Sequence, residues 1–179
     1  MIDIPALSGR AIFQIAFVVR DFDAALERYT ATLGAGPWRC WTLGADHHQE
    51  TLYRGTPTSF KSRLALTDGL PQLELIQPLT GPSAHLDWLE SHGEGPHHVG
   101  IVLDSVRQTI TQMEAAGYPL VHSGAGLGPR HDGAWAYFDT TDALGLLIEA
   151  VEPPTSMPQP EFIWPNAKPG TQPSQLDTR

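Results

Sequence analysis

Four side chains able to hold a cation stand inside otherwise apolar runs. Gln14 lies in Phe13-Gln-Ile-Ala16, Glu74 in Leu73-Glu-Leu-Ile76, His98 in His97-His-Val-Gly100, and Glu149 in Leu147-Ile-Glu-Ala150. An unpaired buried carboxylate costs several kcal/mol or stays protonated, so two of them in strand-like runs invite a divalent cation as their common explanation. With both acids ionised, one imidazole and one amide complete a set that is nearly neutral around M²⁺. Such a centre suits Lewis-acid stabilisation of an enolate or enediolate formed beside a carbonyl. A ligand carboxylate can also take the α-proton as general base, with Glu149 the first choice and Glu74 the second. Oxygen donors favour Mg, Mn, Co or Ni, and the histidine also admits Zn.

The elements that must position these residues occur twice. Residues 11–21 read as a strand, Asp21 as a helix N-cap, 24–33 as a helix and Gly34 as its terminator. Residues 95–117 repeat the pattern, with Asp104 in the capping place and Gly117 at the end. Three further strands follow each unit, at about 37–44, 59–67 and 72–78, then at about 119–123, 134–139 and 145–151. Superposing the copies sets Gln14 on His98 and Glu74 on Glu149, with small Ala16 and Gly100 beside the first pair. Period-two alternation places Gln14 and Ala16 opposite Phe13 and Ile15, and turns His97 toward the helix side. The fold class expected is α+β, with two tandem βαβββ modules forming a curved mixed sheet around a metal cleft. The modules span 10–80 and 95–152. A linker helix within 81–94, opened by Pro82 and Ser83, joins them. Segment 45–58 reads as a loop or ragged hairpin. Seven prolines fall in the last 27 residues, so 153–179 is expected to lack regular structure and to be partly disordered, apart from an apolar knot at 162–165.

These residues resemble the vicinal oxygen chelate superfamily, which includes glyoxalase I, methylmalonyl-CoA epimerase, extradiol dioxygenases and bleomycin-resistance proteins. The resemblance covers about 10–152 and implies one divalent metal ion held by Gln14, Glu74, His98 and Glu149. Locally, Glu74-Leu-Ile-Gln-Pro78 through Gly95-Pro-His-His98 is similar to methylmalonyl-CoA epimerase, whereas the Gln/Glu/His/Glu set looks like that of glyoxalase I. The epimerase has His where Gln14 stands, and it uses a second glutamate where residues 55–61 offer no carboxylate. The resemblance therefore implies a metal and one base. The expected activity is that of an isomerase, epimerase or lyase acting on a small carbonyl, thioester or hemithioacetal substrate. A ligand-sequestering protein is the alternative from another class. An Fe(II) dioxygenase wants two histidines and a carboxylate, and only one histidine occupies a family position.

Residues expected to touch substrate are Arg130 and His131 in a loop, Tyr137 on a late strand, Arg54 in the 45–58 segment and Arg63 on the third strand. The other histidines are expected mostly on loops or the surface. Formal charge is −9, from 20 acidic and 11 basic residues, which argues against nucleic-acid or anionic-membrane partners. The single cysteine, Cys40, reads as a strand-packing residue and points to a reducing cytoplasm. The family habit of pairing subunits suggests a homodimer.

Overall fold

The computed structural model describes residues 4–165. The first half of the chain holds β1 (Ile12–Val18), α1 (Phe22–Leu33), β2 (Trp38–Gly44), β3 (Glu50–Tyr53), β4 (Thr56–Pro57), β5 (Lys61–Thr67) and β6 (Gln72–Thr80). After α2 (Ala84–His92) come β7 (Gly95–Val102), α3 (Val106–Ala115), β8 (Leu120–Leu127), β9 (Gly133–Phe138), α4 (Thr141–Leu144), β10 (Leu147–Glu152) and β11 (Phe162–Trp164).

Local chemistry explains the helix ends. The Asp21 carboxylate accepts from the Ala24 N–H at 3.0 Å, and Gly34, at φ +66°, closes α1. Asp104 does not cap α3 as expected. Ser105 does, accepting from Gln108 N, while Asp104 pairs with Arg10. The start of α2 likewise belongs to Ser83, which accepts from Leu86 N.

One curved, unclosed mixed sheet carries all eleven strands in the order β11-β2-β5-β6-β1-β7-β10-β9-β8-β3-β4. At its centre β1 and β7 pair antiparallel, flanked by β6 parallel to β1 and β10 parallel to β7. The two halves are thus related by a pseudo-twofold axis between β1 and β7. The segment expected as a loop or ragged hairpin contains β3 and β4, and β3 pairs with β8 of the other half. α1 and α3 cover the outer face over separate apolar clusters, around Phe22, Leu26, Trp38 and Leu75, and around Val106, Met113 and Phe138. Cys40 is buried under α1, and burial pushes its thiol up to about 11, consistent with a packing role. No helix among the described residues is long and apolar enough to cross a membrane.

The C-terminal stretch 153–165 holds one regular element, β11, and is otherwise without helix or strand. This segment leaves β10, packs Pro154 against Gly128 and Gly133, and crosses to the first half of the chain. There Pro158 O accepts from Trp41 Nε1 at 2.9 Å, Glu161 Oε1 accepts from Thr42 N at 2.9 Å, and β11 pairs with β2. Prolines lack N–H donors, but carbonyls, a carboxylate and two partly buried aromatics fix the strap. The expected disorder of the final residues lies outside the described part of the chain.

Two histidines expected on loops or the surface, His85 and His122, are buried, as is His97. His122 is enclosed by Tyr53, Phe60 and Trp135, and neither ring nitrogen has a hydrogen-bond partner. Burial, with a smaller contribution from His48, lowers its pKa from 6.5 to about 3. The folded state holds the neutral ring while the unfolded chain protonates first. Stability from this group is therefore complete above pH 6.5 and is lost as the pH falls toward 3.

Two outcomes are expected. Phe162→Ser should lower unfolding free energy by about 1–2 kcal/mol in urea titrations, through lost apolar burial under α1. His122→Phe should weaken the decline in stability below about pH 6.5 by up to about 1.4 kcal/mol per pH unit, read from urea midpoints between about pH 7 and 5.

Candidate functional site

Strand register brings the four sequence-selected groups together. Across β6, β1, β7 and β10, one row reads Glu74, Ala16, His98, Leu147, and the next reads Gln72, Gln14, Gly100, Glu149. Each small residue on a central strand leaves space between two polar neighbours. A Cβ on Gly100 would lie 3.0 Å from Gln14 Oε1 and 2.9 Å from the Phe13 ring, so the glycine clears the floor of the site.

The side chains converge on His98 Nε2. Glu149 Oε2 is 3.2 Å away, Glu74 Oε2 3.3 Å and Gln14 Oε1 3.4 Å. Ligands bound about 2.1 Å from a shared ion lie roughly 3.0–3.4 Å apart in octahedral or tetrahedral geometry, and each of the three oxygens stands at that spacing from this nitrogen. All four residues are buried. Burial pulls the His98 pKa down, but the charges and hydrogen bonds of Glu149 and Glu74 outweigh it and push the imidazole up to about 9. Glu74 is raised by burial and partly restrained by His98. Two carboxylates thus hold a positive charge between them, as a proton on Nε2 or as a cation in its place. The chemistry of the donor set fits a divalent ion.

Two supporting contacts orient the ligands. Gln14 Nε2 donates to Gln72 Oε1 at 2.7 Å, turning Gln14 Oε1 toward His98. His98 Nδ1 lies 2.8 Å from His97 Nδ1. Donation from His98 to His97 frees the Nε2 lone pair for the centre. His97 does not point toward the outer helices as alternation predicts. The β1–β7 register shifts between Ile12 and Gln14 and between Ala16 and Phe17, leaving Phe13 and His97 as the extra residues of two symmetry-related bulges. Bulges re-aim side chains. Phe13 therefore reaches over Gly100, and His97 packs against His85 and Trp88 of α2.

The centre lies on the floor of a cavity of about 270 Å³ whose walls include Trp41, Phe60, Leu64, Trp135 and Tyr137. The Tyr137 hydroxyl is 3.3 Å from His85 Nε2, and burial followed by the Glu149 and Glu74 charges raises its pKa well above the usual value. It is a neutral hydrogen-bond donor beside the carboxylates. The other expected substrate contacts lie outside this cavity. On β5 the cavity-facing residues are Ser62, Leu64 and Leu66, so Arg63 points the opposite way, bonds Asp23 at 3.0 and 3.2 Å, and lies over the Phe22 ring. Arg54 sits in the β3–β4 turn, donating to the Tyr53 hydroxyl beside Asp87. Arg130 and His131 are exposed in the β8–β9 loop, where His131 Nδ1 lies 3.1 Å from Gly126 O. Gln72 and Phe60 were not singled out from sequence, although Gln72 stands two residues before Glu74 and shares its face.

Comparisons with known proteins agree with this architecture. The family model described as the glyoxalase/bleomycin resistance protein/dioxygenase superfamily matches residues 13–138. Among solved structures, a methylmalonyl-CoA epimerase from Mycobacterium tuberculosis is similar at 22% identity and TM-score 0.57, over 86% of this chain and 93% of that one. A variant of the Streptomyces coelicolor methylmalonyl-CoA epimerase, in complex with 2-nitronate-propionyl-CoA, shares 22% identity at TM-score 0.56, over 79% and 95%. A hypothetical protein from Bacillus halodurans C-125 shares 19% identity at TM-score 0.60, over 85% and 100%. No curated protein matches the chain. These solved structures share the fold, and the matched family model covers both halves of the central β1–β7 pair: the chain belongs to the glyoxalase/bleomycin resistance protein/dioxygenase superfamily.

Proposed function

We propose that this protein is a metal-dependent enzyme that removes a proton α to a carbonyl, as an epimerase, isomerase or lyase. The observation that carries the reading is the convergence of Gln14, Glu74 and Glu149 oxygens within 3.4 Å of His98 Nε2 on the floor of a largely apolar cavity. Gln14, Glu74, His98 and Glu149 would hold the ion. When bound, a divalent cation supplies Lewis-acid polarisation of the substrate oxygens.

Glu149 is the base. It lies at the cavity floor, on the strand beside Gly100. Its carboxylate takes the proton as the C–H bond breaks, and the electron pair moves to the carbonyl oxygen to give an enolate. Return of that proton to the face it left restores the centre, return after the enolate has turned its other face to Glu149 inverts it, and return to the neighbouring carbon isomerises the compound. Tyr137 keeps its own proton and donates a hydrogen bond to the developing oxyanion, while His85 orients its hydroxyl. The apolar walls limit water around the enolate and strengthen each of these interactions. The superfamily fold and the epimerase-like neighbours support this reading. The aromatic lining also suits simple sequestration, which would give binding without proton exchange.

Elemental analysis should find one divalent ion per chain, with Gln72→Leu lowering metal affinity by about tenfold or more. At saturating metal, Glu149→Gln should reduce solvent-deuterium incorporation at the α-carbon of acyl thioesters by about 10²–10⁴-fold. A wild-type protein without stoichiometric metal would sink the proposal. In the metal-free protein, His98→Leu should lower stability by about 3 kcal/mol in urea unfolding, because two buried carboxylates lose their cation.

A further inference from the structure

We infer that the cavity takes an enolisable acyl compound with an uncharged, ring-sized apolar body, in place of a nucleotide-bearing thioester. The inference rests on the proton-abstraction reading and specifies its substrate class. The floor is polar and committed to the acyl head. Above it, β2 contributes Trp41 and β5 contributes Leu64, while Phe60 and Trp135 add further aromatic surface. Aromatic walls reward a flat apolar body through burial and edge-to-face contact.

The rim opposes a polyphosphate. Arg39 is the one Lys or Arg among the described residues lining the cavity, and its guanidinium is already paired with Asp68. His48 supplies no cation. Its Nδ1 lies 2.9 Å from Gly44 O, its Nε2 accepts from Trp135 Nε1 at 2.9 Å, and burial lowers its pKa. Glu152 adds a carboxylate to the lining, held by the Val106 N–H. Pro153, Pro154 and Met157 of the C-terminal strap complete an apolar edge. A pyrophosphate leaving this mouth would meet one engaged guanidinium and a carboxylate, where its recognition calls for free Arg or Lys donors.

The test uses the full chain, apo and loaded with Mn²⁺, titrated calorimetrically with three thioesters: S-propanoyl-N-acetylcysteamine, S-(2-phenylpropanoyl)-N-acetylcysteamine and propanoyl-CoA. The phenyl compound should bind about tenfold or more tightly than the short propanoyl thioester. Propanoyl-CoA should gain less than about threefold, and Arg39→Gln should leave its affinity unchanged. Phe60→Ala should remove most of the phenyl advantage, with circular dichroism confirming that it folds. A roughly tenfold gain for propanoyl-CoA that Arg39→Gln abolishes, or no phenyl advantage, overturns the substrate class. Solvent-deuterium exchange at the α-carbon is read separately by NMR. Tight phenyl binding without exchange supports the substrate class and overturns the reaction. Exchange on propanoyl-CoA without a phenyl preference supports the reaction and overturns the class.

Discussion

The antiparallel pairing of β1 with β7 is the constraint on which the rest of the molecule depends. Its register sets Gln14 opposite Gly100 and His98 opposite Ala16, so each polar side chain has a small neighbour across the strand and can lean over it. The parallel partners then deliver Glu74 beside Ala16 and Glu149 beside Gly100. A shift of one residue in that central pair would turn these groups to the outer face, where α1 and α3 pack on apolar clusters. Site and core are therefore written into one register, and neither could be assembled without the other.

The electrostatics follow from the same convergence. Two carboxylates placed this close in a buried setting need a positive charge, and His98 supplies it at the point where their oxygens meet. The histidine is itself oriented from behind by His97, and Gln14 by Gln72. A divalent ion bound in place of the Nε2 proton would balance both carboxylates, where the proton balances one. Preorganisation of this kind is what makes a polar cluster under aromatic walls useful as well as tolerable.

Much of this was legible in the chain. The repeat, the Asp21 and Gly34 helix ends and the pairing of Gln14 with His98 and Glu74 with Glu149 follow from local pattern, because caps and alternation are local physics. What failed was non-local. Alternation misplaced Phe13 and His97, since each sits in a bulge that exists only once β1 meets β7. Arg63 was ambiguous because both faces of β5 are covered, so period two has no solvent side to mark. The crossing of β3 to β8 depends on a partner far along the chain, Glu50 meeting Ala125. Proline content correctly reported that 153–161 forms no regular element. It could not report that carbonyl and carboxylate acceptors would dock that stretch on β2.

The pseudo-twofold axis carries one more consequence. Two identical subunits meeting about a true axis must present the same residue twice, but two copies fused in one chain are free to drift apart. Here the equivalent places hold Gln14 and His98 in one pair and Gln72 and Leu147 in another, so the two sides of the floor differ in basicity and in polarity. A planar ligand lying over it meets unlike left and right halves, and duplication has thereby turned a symmetric scaffold into a handed one.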